Sequence, residues 1–197
     1  MLRFGKRVLR WLIWRMVQRT RILFFCLVSI ARSVDGAPIR HQLVQLVGAG
    51  RIAFDHKVQF GVAQSPSFFS GYAHLEARAA RAEIKIGARS WLNNSFTAIA
   101  ETGRIAIGDD CLVGHNVTIY GSDFHPLAPS DRTTNAVPPR HADVTNGNNV
   151  FLGSRSTILR GTKIGHGCVV AAGAVVSGKF SSATLIAGNP AKAVRSL

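Results

Sequence analysis

Residues 152–176 read LGSRSTILRGTKIGHGCVVAAGAVV. Counting in sixes from Leu152 lands on Ile158, Ile164, Val170 and Val176, all aliphatic. Between them, the fifth place of each unit holds a small residue: Ser156, Thr162, Cys168 and Ala174. An amphipathic helix repeats its apolar face every 3.6 residues and a half-buried strand every two, so a period of six fits neither alone. It fits a short strand followed by a corner, three such units closing a triangular coil. Stacked coils would set each aliphatic side chain over its counterpart one turn below, about 4.8 Å away along the hydrogen-bond ladder.

The pattern extends outward. Ile107-Gly108, Val113-Gly114 and Ile119 form a second run with Cys111 and Val117 in the fifth place. Ile86-Gly87, Leu92 and Ala98 form a third, with fainter traces at Val47-Gly48 and Ile52. The recurrent Gly after the aliphatic residue is expected to ease the backbone through the bend. Asn146 occupies a place that the period reserves for an aliphatic residue, so that coil is expected to be irregular.

The repeat stops between Tyr120 and Ala142. The intervening GSDFHPLAPSDRTTNAVPPRH holds four of the seven prolines. Proline removes ladder donors, so this stretch is expected to leave the coil as a long loop, about 121–142, and loops of that length are usually functional. Four segments, Ile107–Gly114, Ser122–Leu127, Asn148–Gly153 and Ala187–Lys192, occur in the order found in the hexapeptide-repeat acyltransferases, which the chain resembles over roughly 47–195. The likeness is to the maltose- and galactoside-type and the capsule and O-antigen O-acetyltransferases. It implies an all-β fold, a left-handed parallel β-helix with an extruded loop. It also implies acetyl-CoA as donor substrate, no metal, a homotrimer with its sites between subunits, and a carbohydrate acceptor.

Carried over residue by residue, the resemblance makes His125 the general base that takes the proton of a sugar hydroxyl as it attacks the thioester. Imidazole is neutral near pH 7 and able to accept it. Asp123 is a candidate to orient that imidazole, and Asn93 to contact the acceptor. Phe151, Gly153, Ser154 and Ala172 match positions along the pantetheine arm, with Phe151 replacing the family's Trp. Lys179, Lys192 and Arg195 are placed to meet the nucleotide phosphates. Cys111 and Cys168 fall in small-residue places and read as core. The seven histidines show no H-x₄-H spacing, against a zinc enzyme of the same fold. An N-acetyltransferase of an amino sugar, a drug acetyltransferase and a non-catalytic trimeric scaffold on a membrane are the alternatives.

The 197 residues carry a net charge of +14, with 47% apolar and 17% charged side chains, which excludes a disordered chain. Residues 1–34 hold eight basic side chains and no acid, so the remaining 163 carry only +6. Nucleic acid is therefore not the expected partner. The segment MLRFGKRVLRWLIWRMVQRTRILFFCLVSIA places Leu9, Leu12, Ile13 and Met16 on one side of a helix and Lys6, Arg7 and Arg10 on the other. With Trp11 and Trp14 it reads as a helix lying on an anionic membrane surface; packing on protein and a cleaved signal peptide are the alternatives. Its longest uncharged apolar run is too short to span a bilayer. The expected organisation is a basic arm at 1–34, the β-helix at 35–180 and a C-terminal segment at 181–197 beside the CoA site. The expected location is cytoplasmic, peripheral on the inner face of the membrane, with an acceptor that is lipid-linked.

Overall fold

The computed structural model describes residues 2–132 and 137–197. Helix α1 spans Leu2–Leu27. All the following strands lie on three flat faces that wind around one core. Face A runs Ser33–Asp35, Arg51–Phe54, Glu83–Ile86, Arg104–Ile107, Val144–Asn146, Lys163–Ile164 and Lys179–Phe180. Face B runs from Ile39–Arg40 through Gln59–Phe60, Trp91–Leu92, Leu112–Val113, Phe151–Leu152 and Val169–Val170 to Thr184–Gly188. Face C stacks Val44–Val47, Ala73–Ala77, Thr97–Ala100, Thr118–Tyr120, Thr157–Ile158 and Val175–Val176. Every pair along these faces is parallel; only the last strand, Ala191–Ser196, turns back antiparallel on Thr184–Gly188 and closes the end. The architecture is a left-handed parallel β-helix of triangular section.

The period of six is the path around this triangle. Leu152, Ile158, Ile164, Val170 and Val176 lie on faces B, C, A, B and C, and Leu152 pairs with Val170 and Ile158 with Val176, one 18-residue coil apart. Vertical columns result, such as Phe60, Leu92, Val113, Leu152, Val170 and Ile186 on face B. All six are buried, and the small residues of the fifth place, Ser156, Thr162, Cys168 and Ala174, are buried beside them. A column of this kind removes about 1.5–3 kcal/mol of apolar side chain from water per residue. Of the fainter traces Ile52 is in the core, whereas at Val47 the inward residue is its neighbour Leu46.

Two expectations change. From Gly87 onward the Gly after the aliphatic residue is needed for clearance, not for its dihedral freedom; Gly48 and Gly61, at φ 111° and 97°, use both. A Cβ on Gly114 would sit 2.6 Å from the Ser154 nitrogen, and one on Gly153 2.5 Å from the Ala172 nitrogen, because the coils stack backbone on backbone there. The left-handed residue lies two places later, at Arg89, Asp110, Asn116, Asn149 and Arg155. The coil containing Asn146 is also regular. Asn146 pairs in register with Ile107 below and Ile164 above, and its amide is buried with neither polar atom partnered. The ladder holds the backbone and the polar side chain is carried inward with it.

The boundaries follow from the pairing. Strand Ser33–Asp35 already belongs to face A, and Thr184–Gly188 carries face B past residue 180. Helix α1 touches the body through Trp14, Gln18 and Phe25, at helical spacing. Trp14 stacks on Phe68 at 5.9 Å, buried Gln18 donates to the His41 carbonyl, and Phe25 packs on Tyr72. Trp14 thus faces inward, not toward a membrane. Leu9, Leu12, Ile13 and Met16 are 49–64% exposed, so this chain alone leaves its apolar stripe uncovered. No described helix is long and apolar enough to cross a membrane.

Candidate active site

The corner from face C to face A carries the long loop. Ile119 and Asn146 are successive core positions on the two faces, yet 27 residues separate them where the period needs six. The base of the loop is pinned. Ser122 and His141 form an antiparallel bridge, Asp123 N donates to Arg140 O at 2.9 Å, and Ala142 N to Gly121 O at 3.1 Å. Part of the expected loop, residues 133–136, lies outside the described residues.

His125 stands just beyond that base, exposed. Its predecessor Phe124 is held in the left-handed region at φ 62°, a costly state for an aromatic residue. Three contacts hold it: the Ser122 hydroxyl accepts from Phe124 N at 3.0 Å, the Phe124 ring meets Tyr120 edge-on at 5.2 Å, and the Arg78 guanidinium lies 5.4 Å from its face. His125 N donates to the Asp123 carbonyl, and buried Pro126 fixes the chain beyond. The imidazole therefore projects from a rigid kink at the lip of a cleft of about 280 Å³, lined also by Leu127, Asp131, Val137 and Pro138.

The Asp123 carboxylate points elsewhere. One oxygen accepts from Arg160 Nε at 2.6 Å and the other from Arg140 Nε at 3.0 Å. The Arg160 hydrogen bond, then that of Arg140, holds this carboxyl below the usual carboxylate range. Through these pairs Asp123 ties the loop base to the coil above; an orienting contact with His125 would require one guanidinium to let go.

The acceptor candidate Asn93 and three of the donor-side positions collect on a different edge. Asn93, Gly153, Ser154 and Ala172 all follow face B strands and precede face C strands, so they stack along the B–C corner. Phe151 lies outward on face B in a ladder with Trp91 and Leu112, all three exposed. Lys179 is on face A, and Lys192 and Arg195 are on the closing strand. Asn93 donates to Ser65 Oγ at 2.9 Å and is half-buried. Its neighbour Asn94 is wholly buried, donating to the Val62, Ser65 and Pro66 carbonyls and accepting from Val62 N.

Asn94 reveals a second insertion that the sequence reading missed. Phe60 and Leu75 are successive core positions 15 residues apart, and the surplus forms a loop over 61–72 at this same B–C corner. His115, likewise unassigned, approaches the Ser67 hydroxyl of that loop with Nε2 at 3.3 Å, while its backbone N donates to Ser154 Oγ. Gly61, Ser65-Pro66 and Gly71 are the turn-forming signals that mark it. Burial pushes the Cys111 thiol up, which leaves it unsuited to act as a nucleophile.

Residues 104–121 and 144–177 match the family model described as the hexapeptide repeat of succinyl-transferase. A putative lipopolysaccharide biosynthesis O-acetyl transferase of Escherichia coli K12 is 35% identical over 108 residues, covering 52% of this chain and 55% of the relative. A polysialic acid O-acetyltransferase of Neisseria meningitidis is 38% identical over 79 residues, 40% of this chain and 35% of the relative. The chain thus spans about half or less of the length of these two relatives. Among solved structures, a hexapeptide-repeat acetyltransferase of Vibrio cholerae complexed with acetyl coenzyme A superimposes with a TM-score of 0.57 at 27% identity, over 72% of this chain and 70% of that one.

Proposed function

We propose that this hexapeptide-repeat chain transfers an acetyl group from acetyl-CoA to a hydroxyl of a glycan, with His125 as general base. The observation that carries the reading is the presentation of His125: an exposed imidazole on a pinned, kinked loop at the corner where the longest insertion breaks the repeat. The names and partners of the similar proteins support acetyl-CoA as donor and a surface glycan as acceptor.

In the proposed reaction His125 accepts the hydroxyl proton as the oxygen attacks the thioester carbonyl. The tetrahedral intermediate collapses with loss of the CoA sulfur, and the imidazolium returns the proton to that thiolate. A base so placed is worth about 10²–10⁴ in rate. Phe151 offers a flat apolar wall for the pantetheine arm, and the tight B–C corner at Gly153, Ser154 and Ala172 lets it approach the backbone. Lys179, Lys192 and Arg195 supply charge for the phosphates.

Separation of the two edges supports a trimer. His125 belongs to the C–A corner and Asn93 with the donor positions to the B–C corner, so one chain does not join them. A threefold arrangement with face C inward would bring the His125 loop of one copy over the donor edge of the next, giving three equivalent sites. The uncovered stripe of α1, with basic residues beside it, supports attachment to an anionic membrane on which a lipid-linked acceptor is presented. A thiol-release assay with acetyl-CoA and candidate glycans tests the reading: turnover that needs both glycan and His125 is expected, and a scaffold would show none.

A further inference from the structure

Between α1 and face B lies a groove of about 610 Å³, within the size range of small-molecule sites. It lies on a different face from the His125 cleft. All three tryptophans of the chain, Trp11, Trp14 and Trp91, line it. So do the guanidinium-bearing Arg15, Arg19 and Arg40, and no Asp or Glu does. Arg15 lies 4.7 Å from the centre of the Trp11 ring, and Arg40 approaches the Cys26 sulfur. None of the three arginines forms an ion pair with a carboxylate among the described residues.

Indole rings offer broad apolar faces against which the C–H face of a sugar ring can lie. Guanidinium groups match phosphate and carboxylate oxygens in pairs. Three unpaired positive charges beside low-dielectric walls concentrate anions. The groove also runs up to the B–C corner. Trp91 is two residues before Asn93, and lining residues Gly61 and Ala63 belong to the loop that Asn94 holds.

We infer that this groove binds an anionic glycan, a sugar ring adjoining a phosphate or carboxylate group, and delivers its reactive hydroxyl toward the B–C corner. This deepens the acetyltransferase reading and rests on it for the acceptor's role. The anionic group binds away from the reacting bond, so its contribution is the same in ground and transition states. It lowers the acceptor KM and leaves kcat unchanged.

Because every tryptophan lines the groove, intrinsic emission of the full-length protein reports its occupancy directly. Titrations would use farnesyl-diphosphate-linked N-acetylglucosamine, a sialic acid tetramer, and neutral maltotetraose as control. At least one anionic probe is expected to give a saturable change that maltotetraose lacks, and Arg19→Glu to raise its Kd at least tenfold. Arg19 is exposed and unpaired, so the variant should keep its Tm. In turnover, Arg19→Glu should raise KM for the anionic acceptor alone. Response to the diphosphate only identifies a lipid-carried sugar, and response to the tetramer only an acidic polymer. No saturable change with either anionic probe, or an equal change with maltotetraose, overturns the inference. An unchanged Kd and KM in Arg19→Glu overturns it while leaving the acetyltransferase reading intact. Saturable emission with no acetyl transfer to any glycan removes that reading and leaves the binding site.

Discussion

Replacing Asn146 with Val should stabilise the protein. The residue is 95% buried between Ile107 and Ile164 in a column that is otherwise apolar, and neither Oδ1 nor Nδ2 has a hydrogen-bond partner. A buried polar group left unpaired costs about 1–3 kcal/mol, and here two atoms of one amide are in that position. Valine is β-branched, suits a strand, and restores the pattern of the repeat. Taking one such penalty as recovered, the gain is about 1–3 kcal/mol. For a chain of this length that corresponds to roughly 2–12 °C in Tm. Thermal unfolding of both proteins, at one protein concentration so that assembly cannot shift the midpoint, measures it. An unchanged or lower Tm for Asn146→Val would mean that the amide is satisfied, and would refute the argument that the ladder drags it inward at a cost.

Gly153→Ala should destabilise by about 1–3 kcal/mol, because the new methyl would meet Ala172 backbone that cannot move without shifting a coil; chemical unfolding gives the value. The Asp123 pairs should be sensitive to acid. Its folded carboxyl titrates below the unfolded value, so the loop base gains stability above that unfolded value and loses it as pH falls through the lower folded one. Limited proteolysis of the 121–142 loop should accelerate at acid pH in the wild type, while Asp123→Asn should be cut readily at every pH. Replacing Leu9, Leu12 and Met16 together by Ser should leave Tm within a few degrees, since all three are exposed, and should abolish sedimentation with phosphatidylglycerol vesicles. Retained binding would exclude this stripe as the membrane contact.

The β-helix was legible because its period is an arithmetic property of the chain. From Ile86 onward each aliphatic mark in the sequence falls on a buried column, and Cys111 and Cys168 fall in the core. Before Ile86 the pattern blurs, because extra residues enter at corners: nine between Phe60 and Leu75 alone beyond the period. Insertions at corners cost a stacked helix little, as they leave the columns intact, and for the same reason they erase the spacing a reader relies on. The loop that carries His125 could be picked out by its prolines and by the break in the repeat. The partners of Asp123 could not, since Arg140 and Arg160 are 17 and 37 residues away and meet it only once the coils stack. Trp14 looked amphipathic on a wheel, but a wheel has no knowledge of Phe68 across the groove.

The proposed base for acetyl transfer is the exposed imidazole on the pinned loop. Steady-state turnover of acetyl-CoA with a glycan acceptor, followed by thiol release, should fall at least about a hundredfold in kcat for His125→Ala, with Tm and oligomeric state unchanged. Wild-type kcat in that variant on the same acceptor would contradict the account.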